Sequence, residues 1–175
     1  LVDAGPGLVR RAEAARRRGV AELAQTNLRI VFLTHLHSDH TLGLPDLMLT
    51  PWVLGREAPL EVYGPRGTRD MTRHLAAAYA EDVRRRLDGW QPQNRTGWRV
   101  DPHEIRPGLV YADSNVRVIA FRVSHGNWEE AFGYRFETAD RSIVVSGDTR
   151  ASDAVVAACR RCDLLVHEVY SDAGF

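Results

Sequence analysis

Thr34-His35-Leu36-His37-Ser38-Asp39-His40 sets four metal-ligand side chains within six residues, directly after the apolar run Leu28-Arg29-Ile30-Val31-Phe32-Leu33. Such a short, nearly continuous, β-rich run reads as a strand covered on both faces, so the histidine cluster begins where a strand ends. In extended backbone, His35 and His37 fall on one side of the chain, where both imidazoles can reach one cation at about 2.0–2.1 Å. Asp39 and His40 add a carboxylate oxygen and a third imidazole as the chain turns into a helix, whose N-terminal end favours anions. A lone histidine is ordinarily a surface or core residue. Three with an aspartate at this spacing point to a bound metal.

Working outward, alanine, arginine, leucine and glutamate at near-helical spacing predict a helix over 8–24, with Gly19 weakening its far half. Ahead of it, Leu1-Val2-Asp3 runs into Ala4-Gly5-Pro6-Gly7, a strand end followed by a turn. Beyond the cluster the pattern predicts a Pro51-bearing helix over 42–54, a strand over 60–63 and a helix over 68–87. The stretch 88–108, with Trp90, Pro92, Trp98 and Pro107, reads as loop or irregular strand that flanks a pocket. Strands follow at 116–123, 132–137 and 142–145, then a helix at 152–160 and a strand at 164–166. Mixed in this order, the elements predict an α/β layered arrangement with functional residues on loops at strand ends. His125 and Asp148 each occupy such a position, before Gly126 and after Gly147.

The 175 residues suit one domain, 1–175, and the 44% hydrophobic and 26% charged content is that of a globular chain. A formal net charge of zero excludes a global field directed at nucleic acid or membrane. All 23 basic residues are arginine, whose guanidinium fork suits phosphate or sulfate. No apolar run approaches the roughly 20 residues of a membrane span, and the expectation is a cytoplasmic protein with no membrane partner. Cys159 and Cys162 lack the second pair needed for a four-sulfur zinc site, and their role is left open. His74, in the arginine-alanine helix, and His103, between prolines, are expected to be exposed and without catalytic role.

Taken together, the H-x-H-x-D-H element, His125-Gly126 and Ser146-Gly147-Asp148-Thr149 resemble the metallo-β-lactamase superfamily. The resemblance runs from Leu1-Val2-Asp3-Ala4-Gly5 over nearly the whole chain, and it implies an αββα sandwich with a two-metal site along one edge. By position it implies His35, His37 and His125 on one zinc, Asp39 and His40 on a second, and Asp148 bridging, with Mn2+ or Fe2+ as alternative metals. Two such ions sharing a hydroxide would supply the nucleophile. No G-x-S-x-G element competes with that reading, which leaves Ser38, Ser124 and Ser146 as loop or supporting residues. His40-Thr41-Leu42-Gly43-Leu44-Pro45 resembles the ribonuclease Z-like branch, and residues 52–68 resemble its arm-lacking, arylsulfatase-type members.

That branch implies a hydrolase of phosphate or sulfate esters acting on a small-molecule ester. Transfer RNA 3′ processing, with RNA as partner, is an alternative set lower because no segment is clearly long enough to be that activity's glycine- and proline-rich arm. Lactones and β-lactams are further alternative substrates, and homodimerisation is common among such proteins. His167-Glu168 resembles the branch's His-Glu motif, which makes Glu168 a catalytic candidate beside Asp39. The family's final ligand histidine finds no counterpart before Phe175, so the expectation is a chain truncated at both ends. A module that binds metal without turnover stays open on the same ground.

Overall fold

The computed structural model describes residues 1–89 and 94–169, so Trp90 and Pro92 of the expected loop lie outside the described residues. The chain forms two compact units, Leu1–Glu104 and Ile105–Phe175.

In the first unit, helix α1 (Leu8–Arg16) leads to strand β1 (Ile30–Phe32), the short helix α2 (Ser38–Thr41), helix α3 (Leu44–Val53) and strand β2 (Leu60–Gly64). Helices α4 (Thr68–Ala78) and α5 (Ala80–Asp88) and strand β3 (Val100–Glu104) complete it. The three strands are parallel in the order β1-β2-β3, and Val2 bridges Phe32 on the free side of β1. Parallel strands need cover on their faces. Here Val31, Leu33, Leu60 and Val62 join Leu44, Leu47 and Met48 of α3 and Val9 and Ala12 of α1 in one buried cluster.

The helix expected over 8–24 stops at Arg16, because Gly19 adopts φ 106, outside the helical region, and only a 3-10 turn follows at Ala21–Leu23. The helix expected over 68–87 breaks at Tyr79 (φ −104, ψ 12), which separates α4 from α5. Residues 100–104, expected as loop or irregular strand, form β3. Pro102 is tolerated there because β3 is the edge of its sheet.

Arg56 ties this unit together. Its guanidinium is fully buried and donates from Nη1 to the carbonyls of Leu28 and Leu47 and from Nη2 to those of Met48 and Gly97. Burial pulls its pKa down to about 10, which still leaves it protonated at neutral pH. Gly97 is required at this junction, since a Cβ there would lie 1.9 Å from the Arg56 carbonyl oxygen.

The second unit is a five-stranded sheet, β4 (Gly108–Ala112), β5 (Arg117–Val123), β6 (Ala131–Glu137), β7 (Ser142–Val145) and β8 (Leu164–Val166), in that order, with helix α6 (Asp153–Ala158) before β8. Neighbouring strands are antiparallel except β7 and β8, which run parallel. Val118 and Ala120 are buried on one face of β5, while Val123, of opposite parity, packs on the other face with Ala131 and Val155 of α6. Strand β4 is an addition to the sequence reading. Cys159 and Cys162 form a disulfide across the turn that leaves α6. Among the described residues no helix is long and apolar enough to cross a membrane.

Replacing Arg56 leaves four buried carbonyls without their donor. Arg56→Met is expected to lower unfolding stability by at least about 3 kcal/mol in urea denaturation, and Arg56→Lys to restore only part of it, because one ammonium cannot span four acceptors.

Candidate metal centre

In the first unit the histidine cluster is built around Asp3. This residue stands at φ 56, a left-handed conformation uncommon outside glycine, and its amide donates to the Phe32 carbonyl. From there its carboxylate collects three donors: Thr34 N–H at 2.7 Å on Oδ1, and Thr34 Oγ1 at 2.9 Å and His40 Nδ1 at 2.8 Å on Oδ2. The proton positions follow from that set. A carboxylate only accepts, so His40 carries a proton on Nδ1, and in its neutral form its lone pair is on Nε2. Thr34 has given its single proton to Asp3, so its oxygen, 3.0 Å from His35 Nδ1, accepts from that ring. With Nδ1 donating, the neutral His35 ring carries its lone pair on Nε2.

Two glycines allow this approach. The Ala4 amide donates to the His40 carbonyl and the Gly43 amide to the Ala4 carbonyl, each at 2.7 Å. A Cβ at Gly43 would lie 2.2 Å from the Gly5 oxygen, and one at Gly5 would lie 2.7 Å from the Asp39 oxygen. His37 is extended (φ −60, ψ 150) and caps α2, and the Thr41 hydroxyl returns to its carbonyl at 2.9 Å. The chain thereby passes from strand alternation to helix within the motif.

His35 is fully buried, and its Nε2 faces His37 Nδ1 at 2.8 Å. Ligand nitrogens of His35 and His37, and likewise of His35 and His40, lie within 4.8 Å of one another. The Asp39 side chain is 76% exposed, with Oδ2 3.5 Å from His40 Nε2, a nitrogen whose proton is already committed to the other side of its ring. Imidazole nitrogens gathered in this way fit a divalent cation of borderline softness, whereas Asp39 joins no group of converging ligand atoms among the described residues.

In the second unit, His125 and Asp148 stand on loops at one end of the sheet, after β5 and after β7. Gly126 (φ 52) and Gly147 (φ 63) turn the backbone beside them, and the Arg150 amide donates to the Ser124 carbonyl at 3.1 Å, joining the two loops. The Ser146 hydroxyl donates to the Gly147 carbonyl at 2.8 Å and accepts from His167 Nδ1 at 2.7 Å. The Glu168 carboxylate accepts the Thr149 amide, next to Asp148. His167 and Glu168 thus brace the loop that carries Asp148.

His74 is exposed and bonds the Asp70 carbonyl. His103, expected to be exposed, is half-buried because its ring stacks on Tyr63 at 4.4 Å. Asp3 and Thr34 received no role from the sequence. The available signal was an aspartate between an apolar pair and the glycine-rich turn Ala4-Gly5-Pro6-Gly7.

Residues 1–173 match the model of the β-lactamase superfamily domain. Ribonuclease Z of Mycobacterium sp. strain KMS is 33% identical over 169 residues, covering 95% of this chain and 57% of the relative. Ribonuclease Z of Mycobacterium bovis strain BCG / Pasteur 1173P2 is 32% identical over 172 residues, covering 97% and 59%. The chain therefore spans somewhat over half the length of these curated relatives. Among solved structures, the short form of human tRNase Z matches with a TM-score of 0.72 at 25% identity, over 98% of this chain and 68% of that one. Zn(2+)-bound PqqB from Methylobacterium extorquens shares the fold, with a TM-score of 0.57 at 15% identity, over 95% and 55%.

Asp3→Asn retains the size of the side chain and removes the charge that fixes both histidine tautomers. Its expected effect is a loss of about 10–100-fold in zinc affinity, read by competition with a chromophoric chelator, with the circular dichroism spectrum retained.

Proposed function

The chain belongs to the β-lactamase superfamily domain family, and from that premise we propose that it is a dinuclear, metal-dependent hydrolase of phosphodiesters, with RNA as its substrate class. The observation that carries this reading is the Asp3-held set of histidines, whose fixed tautomers leave lone pairs for a cation. By their order in the motif series, His35, His37, Asp39, His40, His125 and Asp148 are the residues that would hold the ions. The chemistry such ions supply when bound is Lewis acidity toward water and toward the ester oxygens. Zinc suits the donors best, and manganese or iron is the alternative.

The chain's own residues supply orientation and proton handling. Asp3 and Thr34 keep His35 and His40 from rotating or exchanging tautomer. Asp39, exposed on the first turn of α2, is the group assigned to take the proton released by attacking water. Glu168 holds the Thr149 amide and so fixes the backbone beside Asp148, and Ser146 holds His167 with a bare Nε2. In this reading Glu168 acts by positioning.

The sequence alone places a small-molecule phosphate or sulfate ester first. The ribonuclease Z relatives support RNA ahead of it. Arylsulfatase-type, lactonase and β-lactamase activities rest on the same donor set and are separated by substrate.

Purified protein is expected to contain zinc, manganese or iron, and to cleave bis(4-nitrophenyl) phosphate and an RNA with a 3′ extension while leaving 4-nitrophenyl sulfate, a lactone and nitrocefin largely intact. His37→Ala should lower kcat/KM by at least about 100-fold with folding retained. A preparation free of all three metals, or turnover confined to the sulfate ester, would falsify the reading.

A further inference from the structure

Two hollows lie side by side on the first unit, along α4 and α5, and share Ala76 and Trp98. Their linings differ in edge charge. The first, about 400 Å³, is an apolar hollow edged by three arginines with no carboxylate: Arg69 and Arg73 on α4 and Arg99 from the segment before β3. The second, about 440 Å³, is also mainly apolar, floored by Ala80, Val83 and Leu87 at helical spacing on α5, with Arg84, Asp88 and Arg95 at its edge. Trp98 forms the wall between them.

Charge balance distinguishes this face from an ordinary solvated helix surface. Asp88 is the one carboxylate among the described residues that line either hollow. Arg84 is fully engaged with Glu81, and Arg73 reaches Asp70 only at 3.4 Å. Arg95 and Arg99 have no carboxylate partner among the described residues. The Arg99 guanidinium instead sits 5.9 Å from the centre of the Trp98 ring. Arg69 and Arg73 are one turn apart, about 6 Å along the axis, a spacing that sets two cations in a row. An aromatic wall with an apolar recess on one side and a row of arginines on the other complements a ligand that alternates planar rings with anionic groups.

We propose that this face of α4 and α5 binds single-stranded RNA, with one base against Trp98 in the second hollow and flanking phosphates on Arg69, Arg73 and Arg99. The choice of RNA rests on the hydrolase reading given above, while the aromatic and charge complementarity stands on the groove alone. The residues involved lie on α4, α5 and the segment before β3, outside the ligand motifs, so the groove supplies affinity for the strand and takes no part in bond cleavage.

The test is fluorescence anisotropy with a labelled 12-nucleotide single strand, using metal-free protein in EDTA so that cleavage is absent. Trp98→Ala is expected to weaken binding at least about fivefold, and Trp98→Phe by less. The exposed double change Arg69→Gln/Arg73→Gln is expected to lower the slope of log affinity against log salt by roughly 0.7 per lost phosphate contact. It also keeps the test valid should Trp98→Ala fail to fold. Arg10→Gln/Arg11→Gln on α1 serves as the control and should leave binding unchanged.

Cleavage of bis(4-nitrophenyl) phosphate by the metal-loaded groove variants should match that of the unaltered protein. A strand that does not bind at low salt, or binds the groove variants as tightly as the parent, overturns the proposal and leaves the hydrolase reading standing. Adenosine monophosphate that displaces the strand at equal molar concentration overturns it in favour of a nucleotide pocket. Groove-dependent binding by a protein that hydrolyses no ester supports the groove and removes the hydrolase reading.

Discussion

The carboxylate of Asp3 is the point on which the histidine cluster of the first unit depends. One side chain accepts from the Thr34 amide, the Thr34 hydroxyl and the His40 ring, and through Thr34 it also sets the proton of His35. Charge-assisted hydrogen bonds of this kind are about twice as strong as neutral ones and shorter. They hold two imidazoles against rotation before any cation arrives, which lowers the entropic cost of assembling a metal site. The left-handed backbone at Asp3 and the near-contact glycines 5 and 43 are what this arrangement requires of the chain around it.

The second unit reaches a comparable result by different means. There the ligand candidates His125 and Asp148 ride on glycine turns at strand ends, and main-chain bonds between those turns fix their relative positions. Ser146 and Glu168 then occupy the polar groups of the Asp148 loop. A sheet with helical and loop cover supplies rigidity, and the loops at one end carry the chemistry.

Much of this was legible in the sequence, for physical reasons. The His35-to-His40 cluster is local, so ligand spacing alone exposes it, and strands such as 132–137 show their pattern in a few residues. Features set by distant partners left no such trace. Asp3 meets groups 31 and 37 residues away, and Arg56 meets carbonyls as far as 41 residues away. The break at Tyr79 lies in an alanine-rich stretch that favours helix on both sides, and β4 is a short, largely exposed edge strand behind Pro107. Both are decided by tertiary packing rather than by propensity. One arrangement of ligands serves several ester chemistries, so the donor set alone does not name the substrate.

Arg56 also imposes an order on assembly. Three of its carbonyl acceptors, at Leu28, Leu47 and Met48, precede it in the chain, while the fourth, at Gly97, follows by 41 residues. On a ribosome the guanidinium therefore meets its upstream acceptors first and closes the last contact only after α4 and α5 have been made. Contacts that span long loops form late, because closure entropy must be overcome before they contribute. The fourth acceptor is therefore missing from any nascent chain that ends before residue 97.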